Sequence, residues 1–151
     1  MKAAKWLLVL PAALLACGVI LVACGGGAKE GEPHLHGSET WELEASYANM
    51  PSFLEDYTDQ TKHLYSVVGK YEEIMQLVKC YCGCMEFDDV HTSLHRCYVA
   101  SKNDKGITWT DHSGHCGICT EELVKIEDWS NEGKTPDQIN QLIEENFNPN
   151  A

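Results

Sequence analysis

Five of the eight cysteines in this 151-residue chain fall in two short clusters. The first cluster reads Cys80-Tyr81-Cys82-Gly83-Cys84, and the second reads Cys116-Gly117-Ile118-Cys119. Cys97 lies between the clusters, His91 precedes it, and His112 comes shortly before the second cluster. Thiolate sulfur and imidazole nitrogen are ligands that soft and borderline metal ions prefer in proteins. The residue types and their spacing therefore predict a metal site to which both clusters contribute.

Disulfide bonds are the competing use of these side chains. Six cysteines remain when Cys17 and Cys24 in the N-terminal segment are set aside, and six thiols allow fifteen pairings. Three structural disulfides are therefore one alternative, but cysteines two apart, as in the first cluster, bond to each other only with strain. A thiol–disulfide oxidoreductase, in which Cys116 attacks and Cys119 resolves, is the second alternative. Apart from that activity, we do not expect an enzyme.

The donor types narrow the choice of metal. Thiolate-rich sites suit Cu(I), Zn(II) or iron–sulfur clusters, and we expect Cu(I) or Zn(II), with an iron–sulfur cluster as an open alternative. Thr120 rather than histidine follows Cys119, which excludes the C-x-x-C-H attachment motif of c-type haem. The clusters can form two separate tetrahedral zinc sites or one thiolate-bridged Cu(I) centre, and the sequence does not choose between them.

The N-terminal segment has the features of a lipoprotein signal peptide. Lys2 and Lys5 precede an uncharged apolar run that ends in Leu21-Val22-Ala23-Cys24. We expect residues 1–23 to be removed and Cys24 to carry the lipid, including an amide-linked chain such as palmitate. This places the protein on the outer face of the bacterial cell membrane. A membrane-spanning anchor is the alternative, for which the run is at the lower limit of length.

The acidic charge limits the classes of partner. The chain carries 23 acidic and 11 basic residues, for a formal charge of −12. Such a surface does not attract nucleic acid or an anionic membrane by electrostatics. We therefore expect membrane contact through the lipid, a metal donor or acceptor protein as a partner, and no nucleic acid.

The remaining chain predicts a mainly α fold of about four helices. Residues 24–48, which include His34 and His36, lack apolar periodicity and indicate a flexible tether. Residues 49–148 form the small Cys/His-rich helical domain. Its first helix is capped by Thr58 and has apolar residues at spacings of three and four up to Val78.

Three further helices complete the expected domain. The second begins at Asp88 or Asp89 and extends to Cys97, so that His91 and His95 share a face. Residues 101–114 are interpreted as a loop, with a short strand pair around Ile107–Trp109 as an open alternative for which the sequence gives no support. The third helix covers 116–131, and the last follows the capping box formed by Thr135 and Gln138, with Gly133 before it.

The cysteine pattern resembles a known family, the PCYCGC-motif lipoproteins of Gram-positive bacteria. The motif Lys79-Cys80-Tyr81-Cys82-Gly83-Cys84 carries the resemblance, which extends over residues 50–148. Lys79 stands where the family has proline, so the approach to the cysteines is less rigid. The resemblance implies a metal role and does not assign His34, His36, His95 or His115. The implied ligands are Cys80, Cys82, Cys84, His91, Cys97, His112, Cys116 and Cys119. We therefore expect a lipid-anchored protein that stores or transfers the metal or is stabilised by it.

Overall fold

A computed structural model of the chain describes residues 29–83 and 91–151, which form three α-helices and a four-stranded antiparallel sheet. The strands are β1 (His34–His36), β2 (Glu39–Glu44), β3 (Val99–Asn103) and β4 (Gly106–Thr110), in the spatial order β1-β2-β4-β3. The helices are α1 (Asp59–Leu77), α2 (Gly117–Asn131) and α3 (Pro136–Phe147). Single 3-10 turns occur at Ser52–Asp56, Leu94–Cys97 and His112–His115.

The prediction of a mainly α fold was wrong, because it missed the sheet. β1 and β2 lie in the segment 24–48 that we interpreted as a tether, and β3 and β4 lie in the stretch 101–114 and just before it, where a loop was expected. Because three of the six residues of β2 are glutamates, the sequence of this segment is typical of a solvated linker, and the strand was not predicted. Glu42 is fully buried, and its carboxylate accepts hydrogen bonds from Ser52 N–H and Oγ–H and from Phe53 N–H. These partners lie ten and eleven residues further along the chain, outside the window of a strand pattern.

One glycine shows how closely the strands approach. Gly106 follows the two-residue turn between β3 and β4 and has a φ of 134°. A Cβ atom at this position would lie 2.1 Å from the carbonyl oxygen of Glu44 on β2. Glycine is therefore required both by the backbone conformation and by the contact with the neighbouring strand.

The predictions for three helices were confirmed. Thr58 caps α1 by accepting a hydrogen bond from Thr61 N–H, and Thr135 and Gln138 form the expected capping box at α3. Gly133 has a φ of 81° between α2 and α3, as a helix C-terminus favours. These signals lie within a few residues of the structure that they specify, which is why the sequence alone reveals them.

The predicted second helix is absent from its described part, residues 91–97, and residues 88–90 lie outside the described residues. Ser93 is extended, with φ −150° and ψ 165°, which a continuous helix does not allow. The N–H of Leu94 donates to the carbonyl oxygen of Val78 at 2.8 Å, so this backbone group is used to join two distant segments. Only the 3-10 turn Leu94–Cys97 follows.

A single core joins the helices to the sheet. Trp109 on β4 is fully buried and packs against Tyr65 of α1, whose hydroxyl donates to the carbonyl oxygen of Thr110 at 2.7 Å. Leu123 and Ile139 bring α2 and α3 into the same core. Within residues 29–83 and 91–151, no helix has the length and apolar character needed to cross a bilayer.

Candidate metal centre

The first two cysteines of the centre follow the C-terminal end of α1. The helix stops at Leu77, and Val78 is extended, so the chain turns away towards Cys80 and Cys82. The N–H of Tyr81 donates to Oε1 of Glu122 on α2 at 2.8 Å. This hydrogen bond fixes the cysteine segment against the first turns of α2.

The other two cysteines come from separate elements. Cys97 ends the 3-10 turn that the Leu94–Val78 hydrogen bond holds next to the end of α1. Cys119 lies in the first turn of α2, and its Sγ is 3.3 Å from Sγ of Cys80. Three stretches of chain that are far apart in sequence therefore present sulfur atoms to one point.

The four sulfur atoms have the spacing of a metal site. Sγ of Cys80, Cys82, Cys97 and Cys119, here called the sulfur group, all lie within 4.8 Å of one another. A tetrahedral ion with Zn–S bonds of about 2.3 Å holds its sulfurs about 3.8 Å apart. Cys97 and Cys119 are fully buried and Cys80 is nearly so, whereas Cys82 is half-buried. None of the five described cysteines forms a disulfide.

Two histidines extend the sulfur group on one side. His91, Cys97 and His112 each offer a donor atom, and these three atoms also lie within 4.8 Å of one another. The rings of His91 and His112, here called the imidazole pair, stack with their centroids 4.1 Å apart. Cys97 therefore belongs to two adjoining sets of donor atoms.

Glu39 holds the imidazole pair in place. Its Oε1 is 3.0 Å from Nε2 of His91 and 2.9 Å from Nδ1 of His112. Its Oε2 accepts hydrogen bonds from Trp41 Nε1–H and Thr110 Oγ1–H. Nδ1 of His91 is buried and lacks a well-directed hydrogen bond within the described residues. A carboxylate on one imidazole nitrogen orients the ring so that the other nitrogen can bind a metal.

The electrostatics of the centre favour thiolates beside imidazolium rings when no metal is bound. Hydrogen bonds from Cys119 and Cys80 lower the pKa of Cys97 to about 6. Cys119 and Cys80 also hold the pKa of Cys82 far below its usual range, while the pKa values of Cys80 and Cys119 are raised. The thiolate of Cys97, followed by Glu39, raises the pKa of His91 to about 9.

The other members of the centre complete this charge arrangement. The thiolate of Cys82, followed by Glu39, raises the pKa of His112 to about 10. The pKa of Glu39 lies far below its usual range, because hydrogen bonds from His112 and His91 outweigh the burial that alone would raise it. Burial raises the pKa of Glu122 to about 7, although Tyr81 N–H and Cys80 lower it. The negative charges of the centre therefore attract cations.

Of the nine residues marked by the sequence, the structure brings six together and leaves one, Cys116, outside the group, while the other two lie outside the described residues. The six are Cys80, Cys82, Cys97, Cys119, His91 and His112. Cys116 is the N-cap residue of α2, half-buried, and its sulfur is not among the grouped donor atoms of the described residues. Cys84, a predicted ligand, and Cys24, the predicted lipid site, lie outside the described residues.

The histidines without a predicted role have different surroundings. His95 is buried and hydrogen-bonds the Tyr47 hydroxyl at 2.9 Å, and the exposed His115 hydrogen-bonds Tyr57 at 2.6 Å. His34 and His36 are exposed on β1.

Sequence reasoning missed Glu39 and Glu122. Glu39 lies in the assumed tether, where the alternation of Trp41 and Leu43 with polar residues was the one signal for a strand. Glu122 follows Cys119 by one helical turn, a spacing that places both side chains on one face of α2.

Comparison with other proteins gives a family but no solved relative. No curated protein and no solved structure matches the chain. A family model described as "Protein of unknown function with PCYCGC motif" matches residues 12–150, nearly the whole chain. The protein therefore belongs to the PCYCGC motif family.

Proposed function

We propose that this protein binds Cu(I) or Zn(II) through the sulfur group and the imidazole pair, and that it stores the metal or passes it to a partner protein. The observation that carries the proposal is the convergence of four unpaired cysteine sulfurs, from three segments, within 4.8 Å of one another. Soft, deprotonated sulfur ligands favour these ions over Mg²⁺ or Ca²⁺. We propose a binding role rather than catalysis.

Cys82 suits the protein for metal transfer. It is the half-buried member of the sulfur group, whereas Cys80, Cys97 and Cys119 are almost entirely inaccessible. An incoming thiol from a partner can therefore reach the ion at the Cys82 side first, and ligands can then be exchanged one at a time. The proposed site of action is the outer face of the membrane, where the signal sequence and Cys24 would anchor the chain by lipid.

Thiol–disulfide exchange by Cys116 and Cys119 is less well supported. Cys119 is fully buried, and its sulfur faces the other three sulfurs of the group, 3.3 Å from Cys80. Burial and these neighbours raise its pKa, whereas thiol exchange proceeds through a thiolate. The geometry therefore favours a shared ion over a redox pair at the start of α2.

Metal analysis with a matched pair of cysteine variants tests the proposal. The full chain is purified without oxygen, and bound copper and zinc are measured with the number of reactive thiols. We expect stoichiometric metal in the unmodified protein, loss of it in Cys119→Ser, and retention in Cys116→Ser, which changes the same helix end outside the sulfur group. A metal-free protein with one reducible disulfide would instead support the oxidoreductase, and equal loss in both variants would contradict the assigned ligands.

A further inference from the structure

The sulfur group alone can complete the coordination of one ion, which leaves the imidazole pair without a ligand role. A tetrahedral ion takes four donors, and Cys80, Cys82, Cys97 and Cys119 supply four. Nδ1 of His91 would then stay buried without a well-directed hydrogen bond. Since His91 also offers a donor atom within 4.8 Å of the Cys97 sulfur, this buried nitrogen is a candidate metal ligand.

The imidazole pair has the geometry of a second site. A tetrahedral ion with Zn–N bonds of about 2.0 Å and Zn–S bonds of about 2.3 Å holds such donors roughly 3.3–3.6 Å apart. The donor atoms of His91, Cys97 and His112 lie within 4.8 Å of one another, so small side-chain movements can close them around an ion. These three donors leave the fourth position of a tetrahedral ion open, as in zinc sites with three protein ligands.

We propose that a second metal ion binds between His91 and His112, and that the Cys97 sulfur bridges this ion to the one in the sulfur group. The inference rests on the proposed metal-binding function. Glu39 is the positioning residue of the second site, since it holds one nitrogen of each ring. The protein would thus carry a two-metal centre in which one ion is bound by sulfur alone and the other by sulfur and nitrogen.

Zinc titration and X-ray absorption test this arrangement on the full chain. Metal-free protein is titrated with Zn(II) under anaerobic conditions, bound zinc is counted after dialysis, and the loaded protein is measured at the zinc edge. We expect two zinc ions per chain and a zinc–zinc distance below about 4.6 Å, twice the Zn–S bond length. The double variant His91→Ala/His112→Ala should keep one ion and lose the zinc–zinc signal.

The controls separate failure of this inference from failure of the proposed function. His63→Ala changes an exposed histidine paired with Glu127 and should still bind two ions. Two outcomes would overturn the bridged centre and leave the sulfur site intact. In the first, the unmodified protein binds one zinc ion and the double variant retains it. In the second, the unmodified protein binds two ions without a short zinc–zinc distance. No zinc in the unmodified protein would contradict both proposals. Should the double variant misfold, His112→Ala alone and the distance in the unmodified protein decide.

Discussion

His91 and His95 lie four residues apart and face two different regions of the molecule. His91 lies beside the sulfur group and shares Glu39 with His112. His95, by contrast, is hydrogen-bonded to Tyr47 and lies 3.9 Å from Glu72. A thiolate raises the pKa of His91 to about 9, whereas burial lowers the pKa of His95. The comparison shows that two histidines four residues apart can have entirely different surroundings, so their spacing in the sequence does not decide which of them joins the group of possible metal donors.

The largest effect should come from the cysteine that both donor sets share. Cys97→Ser removes a sulfur that lies close to all other donors, and it should abolish tight metal binding. Since metal binding contributes to folding stability, added metal should then no longer raise the melting temperature. Thermal unfolding with and without Zn(II) measures this, with Cys116→Ser as control. A variant that keeps the full metal-dependent rise would remove Cys97 from the centre.

Zinc binding between His91 and His112 should also depend strongly on pH. With pKa values of about 9 and 10, His91 and His112 carry protons at pH 7 that a metal must displace. The affinity for a second zinc ion should therefore increase as the pH rises from 7 to about 10, by at least tenfold, and should level off above that. Below about pH 6 the affinity of the metal-free sulfur group for the first ion should fall as well, because Cys97 is then protonated. Competition with a chelator at constant ionic strength measures both affinities. A constant affinity for the second ion between pH 7 and 9 would contradict the interactions that raise the pKa of His91 and His112.

Glu39→Gln tests the positioning of the imidazole pair. The amide keeps the size of the side chain but loses the charge that orients both rings. Loss of such a partner typically weakens metal binding by about 10- to 100-fold. We expect that loss for the second zinc ion and little change for the first. The matched control is Glu127→Gln, which removes the partner of the exposed His63, and equal weakening in both variants would argue against a specific role of Glu39.

The smallest effect on metal binding should come from a substitution of His95. His95→Ala removes the imidazole that hydrogen-bonds the Tyr47 hydroxyl, while Glu72 keeps its ion pair with Lys102, and it should lower the free energy of unfolding by about 1–3 kcal/mol. Metal content and affinity should stay unchanged. Chemical denaturation and zinc analysis of the same sample measure both quantities. A loss of metal in this variant would mean that the two regions are not separate.

The sequence predicted which cysteines and histidines lie close together better than it predicted the fold. Cysteine and histidine are recognisable as possible metal donors from their side chains alone, and the caps at Thr58 and Thr135 act within one helical turn. The sheet depends on contacts between distant residues, such as the pairing of Glu42 on β2 with Trp109 on β4, which local patterns do not reveal. Cys116 was marked by its spacing to Cys119, yet its position as N-cap residue keeps its sulfur out of the group.

The single carboxylate of Glu39 has a mechanical consequence. One oxygen atom is bonded to both imidazole rings, and the other is fixed by Trp41 and Thr110 on two adjacent strands. These hydrogen bonds link the positions of the two rings to each other and to two strands of the sheet. A displacement of β2 relative to Cys97 would therefore act on both rings through one side chain.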